Sequence, residues 1–197
     1  MTLKIAGGLY KGLRLETPPS PITRPTAGML RDAVFNICQN KIQEAYFLDL
    51  YAGSGAMGIE ALSRGALHVF FVEKNPLALA ALKKNIGKAA VQTQTTLLPY
   101  DVQVTLKKLK EVSFDLIYID PPYGEKEEEL RSEKALGFIL ETLDQGSLLK
   151  PDAWVFVEFS SYSKKDFSTL PLKNLKWDNT RRFGRSHLHL FKYTSPF

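Results

Sequence analysis

The sequence predicts an α/β fold: a mostly parallel seven-stranded sheet with helices on both faces, an antiparallel C-terminal hairpin at its edge, and a small N-terminal hairpin-plus-helix extension. Three observations predict it. From residue 46 onward, five short apolar runs alternate with stretches of helical periodicity, a rhythm that implies parallel strands joined by right-handed crossovers. The runs are continuously apolar, as strands covered on both faces must be. Near the end, LKWDNTRRFG and RSHLHLFKY meet at Gly184 with no helix between them, so they read as an antiparallel pair.

The elements follow in order. Leu3 to Ala6 and Leu9 to Leu15 read as a hairpin around Gly7-Gly8, and the Pro-rich link TPPSPITRPT after it cannot be helical throughout. A helix begins near Thr26, a good cap, with Met29, Leu30, Ala33, Val34 and Ile37 recurring on one face. YFLDL is a strand, MGIEALSRG a helix closing on Gly65, HVFFVE a strand, and NPLALAALKKNIGKA a helix capped by Asn75 with Pro76 in its first turn. TTLLPY is a weaker strand and VQVTLKKLKEV a helix; FDLIYID, EEELRSEKALGFILETL and AWVFVEF then read as strand, helix and strand. The acidic run Glu125 to Glu129 suits a first helical turn, where negative charge meets the positive dipole end. The expected division is an extension over 1–45 and a main domain over 46–197.

Composition narrows the class. A chain of 197 residues, 44% hydrophobic and 24% charged, can bury a full core. The first thirty residues lack the apolar run of a signal peptide, and no stretch approaches the ~18 apolar residues that span a bilayer, so a soluble, cytoplasmic protein is expected. The single cysteine, Cys38, has no partner for a disulfide and reads as a small core residue. His187 and His189 alternate onto one strand face without Cys or acid at ligand spacing, which reads as structural, so no metal is expected. Charge is uneven: residues 1–45 carry six Lys/Arg against three Asp/Glu and residues 164–197 eight against two, while the middle carries twelve against sixteen. Basic ends around an acidic centre suit a polyanion held at the periphery.

Ligands of open parallel sheets sit beyond the carboxyl ends of the strands, so those ends are read together. The first runs into Asp49-Leu50-Tyr51-Ala52-Gly53-Ser54-Gly55-Ala56-Met57-Gly58, a G-x-G-x-x-G turn whose glycines let the backbone approach a ligand. The second ends on Glu73, twenty residues after Gly53, where a carboxylate can accept from both ribose hydroxyls. Together they predict an adenosine-containing cofactor. Asp101, after the third strand, reads as an acceptor for an adenine amino group and as a helix cap. Asp49 is either a loop-orienting acid or an acceptor for a cofactor ammonium. The fourth strand ends in DPPY: Pro121 and Pro122 have no N–H, so the corner offers only acceptors, the Asp120 carboxylate and the proline carbonyls. Such a corner can take both hydrogens of a nucleobase amine and aim its nitrogen at an electrophilic methyl, with Tyr123 offering a ring face to an unstacked base. Hydride transfer with NAD would need an acid or base and a substrate domain that are not evident.

DPPY with LDLYAGSGAMGIEAL resembles the S-adenosylmethionine-dependent methyltransferases that modify exocyclic amines of nucleobases. IAGGLYKGLRLETP, ITRPTAGMLRDAVFNI and FVEKN more narrowly resemble the RsmD family, which methylates a guanine N2 in 16S ribosomal RNA, and the similarity runs over essentially the whole chain. The resemblance implies a Rossmann-like S-adenosylmethionine methyltransferase fold and the cofactor S-adenosyl-L-methionine. It implies that Tyr51, Gly53, Ser54 and Gly55 line the cofactor loop, that Glu73 holds the ribose and Asp101 the adenine end, and that Asp120, Pro121 and Tyr123 hold the target guanine. Arg24 and Thr26 would sit near the cofactor or the substrate backbone. Arg31 is a candidate phosphate ligand beside its default reading as a solvated helix arginine. RNA contact is expected at Lys4, Lys11, Arg14, Arg181, Arg182 and Arg185. Expected partners are 16S ribosomal RNA or the assembling small ribosomal subunit, with no membrane, the chain acting as a monomer. A DNA adenine or cytosine amino methyltransferase shares DPPY but would need a larger recognition segment than the residues ahead of the sheet; a non-catalytic RNA-binding module on the same fold is the third reading.

Overall fold

The computed structural model describes residues 3–18, 25–109, 111–122, 126–160 and 169–195, with the side chains of 25–27, 126–130 and 160 left out. A two-stranded antiparallel ribbon, β1 (Leu3–Lys4) and β2 (Arg14–Leu15), precedes α1 (Pro25–Ile37). There follow β3 (Tyr46–Leu50), α2 (Ala56–Ser63), β4 (His68–Val72), α3 (Pro76–Ala89), β5 (Thr95–Leu98) and α4 (Val102–Lys108). The chain continues through β6 (Phe114–Ile119), α5 (Lys126–Gln145) and β7 (Leu149–Ser160) to the hairpin β8 (Leu175–Phe183) and β9 (Ser186–Tyr193). The main sheet has the order β5-β4-β3-β6-β7-β9-β8, parallel up to β7, after which β9 and β8 add antiparallel. The seven-stranded α/β architecture and the C-terminal hairpin are as the alternation of the sequence predicts.

Side chains alternate across β3, and each face has its own helical cover. Phe47 packs with the buried residues of α1, α2 and α3, while Leu48 and Leu50 pack with those of α4 and α5. The sequence reverses direction where it carries caps: the Asn75 side chain accepts from the N–H groups of Leu77 and Ala78 ahead of Pro76, and Gly184, at φ 55, makes the tight turn between β8 and β9. No helix among the described residues is long and apolar enough to cross a membrane.

Three sequence-based expectations change. The hairpin strands are shorter than expected, two residues each, because the segment between them docks on α2 instead of continuing the ladder. The Glu60 carboxylate accepts from the N–H groups of Ala6 (2.7 Å) and Gly7 (2.8 Å), and Ser63 accepts from Tyr10 at its Oγ and from Leu9 at its carbonyl. The buried apolar stripe of α1 is Leu30, Val34 and Phe35, continued by Cys38 just after the helix; Met29, placed on that face by periodicity, is 66% exposed. Arg31 is neither solvated nor positioned for phosphate. It is 6% exposed, donates from Nη2 to the Lys4 carbonyl (2.6 Å) and lies 3.3 Å from Glu60. Its guanidinium is an internal staple for the first strand because Glu60, 29 positions away, needs a buried cation. Cys38 is fully buried, and burial pushes its thiol up to about 12, which makes it inert.

Candidate active site

β3 and β6 are neighbours, and their connections leave toward opposite faces, so a crevice opens beyond their carboxyl ends. A cleft of about 650 Å³ lies there, and Tyr51, Glu73, Asp101, Asp120 and Pro122 all line it. Residues from four different strand ends thus meet in one place. The parallel register makes this necessary, since Leu50, Val72 and Ile119 end their strands at one level.

The turn after β3 is strained and tightly held. Tyr51 adopts φ 66, a left-handed conformation that costs a non-glycine residue on the order of 1 kcal/mol and marks functional loops. Burial, followed by the nearby Asp101 charge, pushes its hydroxyl up to about 12, so it stays a neutral donor. Gly53, at φ 56, donates its N–H to Glu73 Oε2 at 2.8 Å, while the N–H of Asn75 reaches Oε1 at 2.7 Å. Both carboxylate oxygens are thereby oriented by backbone donors before any ligand arrives, and each keeps a lone pair for a hydroxyl. Gly55, at φ 80, leaves no room for a Cβ, which would run into Leu82 of α3; the turn is packed on that side and open at Gly53. The Ser54 carbonyl accepts from the buried Asn85 amide, which also bonds Glu16 in both directions, so the chain leaving the hairpin is tied to the turn.

Asp49 lies beneath the turn, 1% exposed, and accepts from the N–H of Gly58 at 3.1 Å. This is the loop-orienting geometry. Burial first, with the Glu73 charge adding to it, raises its carboxyl to about 8 against the one hydrogen bond that lowers it. Asp101 caps α4 by accepting from Gln103 (2.9 Å) and pairs with Lys74 Nζ at 2.9 Å, and the Lys74 bond chiefly holds its carboxyl below the usual range. Lys74 therefore reaches across to β5's end instead of pairing with its neighbour Glu73.

The proline corner follows β6. The Asp120 N–H donates to the Leu50 carbonyl at 3.4 Å, Pro121 is buried and Pro122 is exposed on the cleft. Ser132 of α5, 5% exposed, donates its hydroxyl to the Pro122 carbonyl at 2.6 Å. Sequence reasoning missed Ser132: a lone serine in a helix gives no signal, and only the return of α5 over the cleft brings it to the corner. Tyr100 and Arg131 also line the cleft, and no motif in the sequence marks them. Tyr123, Arg24 and the side chain of Thr26 lie outside the described residues, as do Glu125 and the side chains of Glu127 to Glu129.

The basic residues divide between two ends. Arg181, Arg182 and Arg185 are exposed around the β8–β9 turn; Lys4, Lys11 and Arg14 are exposed on the N-terminal ribbon. His189 Nδ1 shares a hydrogen bond with Thr180 Oγ1 (2.7 Å), and burial lowers His187, a structural arrangement. Among the described residues, no group of three or more His, Cys, Asp or Glu side chains could hold a metal ion.

Comparisons with known proteins agree with this architecture. Residues 3–192 match the family described as Conserved hypothetical protein 95. The chain is 33% identical over 197 residues to ribosomal RNA small subunit methyltransferase D of Buchnera aphidicola subsp. Baizongia pistaciae, covering 100% of this chain and 94% of the relative. It is 28% identical over 176 residues to the Escherichia coli protein of the same name, covering 89% and 81%. The solved structure of the Escherichia coli protein yhhF superposes with a TM-score of 0.82 at 23% identity over the whole of both chains, which establishes the shared fold. With Tyr51, Glu73, Asp101, Asp120 and Pro122 gathered on one cleft, the chain belongs to this family, the RsmD family of S-adenosylmethionine-dependent methyltransferases.

Proposed function

We propose that the chain transfers a methyl group from S-adenosylmethionine to the exocyclic N2 amine of a guanine in 16S ribosomal RNA. The observation that carries this reading is the placement of Asp120 and its proline corner on the same cleft as Glu73 and Asp101: acceptors for an amine stand beside acceptors for a nucleoside. Relatives named as ribosomal RNA small subunit methyltransferases supply the class of acceptor.

The residues present fit the cofactor. Glu73, pre-oriented by two backbone donors, would hold ribose hydroxyls; Asp101 would meet the adenine end; the Gly53-Ser54-Gly55 turn offers the close approach that the rest of the cofactor needs. Asp49 would steady that turn from below and, when ionised, attract the ammonium group. Arg24 and Thr26 complete the assignment at the cofactor or the RNA backbone. When bound, the cofactor supplies a methyl group made electrophilic by its sulfonium charge.

Asp120 and the Pro121 carbonyl accept the two hydrogens of the guanine amine and turn the nitrogen lone pair toward the methyl. The corner contains no N–H that could compete for that lone pair. The proton shed as the N–C bond forms leaves along the hydrogen bond to Asp120. Tyr123 stacks on the unstacked base. The chemistry demands little beyond this placement, so positioning supplies much of the rate. Lys4, Lys11, Arg14, Arg181, Arg182 and Arg185 hold the phosphates of the RNA or of the assembling small subunit, and the chain acts as a monomer.

The test is transfer of labelled methyl from S-adenosylmethionine to naked 16S ribosomal RNA, isolated small ribosomal subunits and duplex DNA in parallel, with nucleoside analysis. N2-methylguanosine in either RNA acceptor is the expected product. Label in DNA alone, or in no acceptor despite cofactor binding, overturns the proposal.

A further inference from the structure

Beside the proline corner lies a buried polar pair that the proposed chemistry leaves unused. The Tyr118 hydroxyl of β6 donates to Glu158 Oε2 of β7 at 2.7 Å, and the two residues are 5% and 8% exposed. The register fixes where this carboxylate stands. Ile119 pairs with Val157 in the parallel ladder, so Asp120 and Glu158, the next residue of each strand, stand side by side, one strand spacing or about 4.8 Å apart. The backbone of Asp120 is still held by the sheet, since its N–H reaches the Leu50 carbonyl at 3.4 Å. Alternation puts Asp120 on the face of Tyr118 and Glu158 on that of Phe156, and these two are cross-strand partners in the core cluster that also holds Phe35 of α1. Both acids therefore point to the same side of the sheet, at its carboxyl edge.

A carboxylate buried to this extent is costly unless donors meet it. It has about four acceptor sites, of which the tyrosine takes one while fixing the orientation of the group. The other cross-strand neighbour of Glu158 is the apolar Leu188 on β9, so the row offers acceptors beside the corner and no competing cation from the adjoining strands. The edge of guanine that carries the N2 amine presents three hydrogens in succession, two on N2 and one on N1. The corner accepts the two amine hydrogens and leaves N1–H, a donor that costs free energy if it enters a dry site without an acceptor. Adenine and cytosine differ at this point, because the ring nitrogen next to their amine carries a lone pair.

We infer that Glu158, held by Tyr118, accepts the N1–H of the target guanine and is the residue by which the corner tells guanine from bases whose amine adjoins a ring lone pair. The inference rests on the proposed transfer to guanine N2. Each hydrogen of the guanine edge then has its own acceptor: one amine hydrogen on Asp120, the other on the Pro121 carbonyl, and N1–H on Glu158. Tyr118 acts through Glu158 and is a positioning residue, its ring fixed in the core and its hydroxyl keeping the carboxylate from turning away. A carboxylate facing the lone pair of adenine N1 or cytosine N3 is repelled, so the wrong base meets repulsion where guanine finds a partner.

The experiment uses the RNA form that wild type methylates, naked 16S ribosomal RNA or isolated small subunits. The methylated guanine is located by primer extension, and a second acceptor is assembled by splinted ligation with 2-aminopurine at that position. This base keeps the N2 amine but carries a lone pair at N1 where guanine carries a hydrogen. The readout is the ratio of kcat/KM on the two acceptors for wild type, Glu158→Gln and Tyr118→Phe, each first titrated with S-adenosylmethionine as a check of its fold. Glutamine can offer its carbonyl to Tyr118 and its amide N–H to the base, so the preference for guanine is expected to fall about tenfold or more while cofactor affinity stays within about twofold. Tyr118→Phe is expected to lower kcat on both acceptors and to keep the preference, because the carboxylate remains. A Glu158→Gln ratio within about twofold of wild type, or a Tyr118→Phe ratio that falls as far as that of Glu158→Gln, overturns the inference, since the pair would then be packing. If wild type forms no N2-methylguanosine in any RNA, the proposed reaction fails and the inference with it; N2-methylguanosine with an unchanged ratio removes the role of Glu158 alone.

Discussion

Glu73 and Gly53, twenty residues apart, are joined by a 2.8 Å hydrogen bond from the glycine N–H to the carboxylate. The acid at the end of β4 therefore shapes the turn after β3 as well as offering acceptors to the cleft. Replacing it removes both functions at once. Glu73→Ala is expected to weaken S-adenosylmethionine binding by roughly 10- to 150-fold, the range for removal of a charge-assisted hydrogen bond. Isothermal titration checks this, and an unchanged Kd would remove Glu73 from the cofactor site.

Asp120 belongs to the other half of the cleft. Asp120→Ala is expected to lower kcat by on the order of 100-fold or more while leaving the S-adenosylmethionine Kd within about twofold, because it removes an interaction that orients only the reacting amine. Activity equal to wild type would falsify the role given to the proline corner.

Ser132 holds that corner by its Pro122 carbonyl, and the two prolines give it no N–H by which to be held. Ser132→Ala is expected to reduce kcat about tenfold with cofactor affinity unchanged, and to cost about 1 kcal/mol of stability for one net hydrogen bond. Ser132→Thr, which keeps the hydroxyl, should restore most of the rate. If threonine and alanine behave alike in single-turnover assays, Ser132 is packing and not a positioning residue.

Asp49 sets a pH dependence. Its carboxyl titrates at about 8 in the folded chain, against about 3.9 when unfolded, so between these values the folded state holds the extra proton. Its contribution to stability is complete below about pH 4 and is lost as the pH rises toward about 8. Asp49→Asn keeps an acceptor for Gly58 without the charge, so its Tm should fall less than that of wild type between acidic and mildly alkaline buffer. Parallel Tm profiles from thermal melts would exclude this origin.

Glu60 ties the N-terminal ribbon and α1 to α2. Fully buried, it takes the N–H groups of Ala6 and Gly7 and faces both Arg31 and Arg64. Glu60→Ala leaves these donors without their acceptor and is expected to cost about 3–5 kcal/mol, the penalty for breaking a buried ion pair. Urea unfolding gives the value, and protease sensitivity of the N-terminal ribbon should rise with it.

The sequence by itself determined the order of strands and helices, the C-terminal hairpin and five of the residues that line the cleft: Tyr51, Glu73, Asp101, Asp120 and Pro122. All of these follow from signals a few residues long: apolar runs, caps, turn glycines, and polar groups where a parallel strand stops. Tertiary structure alone decided what lies between distant segments. Periodicity put Met29 in the core and Arg31 in solvent; the structure reverses both, because the stripe of α1 is set by Phe35 against Phe47 of the sheet and by a carboxylate 29 residues away. Glu60 in MGIEALS and Ser132 in α5 carry no local mark of their partners, Ala6 and Pro122, since those contacts exist only once the chain has folded back. Asp120 opens a corner that the sequence marks, but nothing in it sets Glu158 of β7 one strand away on the same face. Composition has no geometry, and the strand register supplies it.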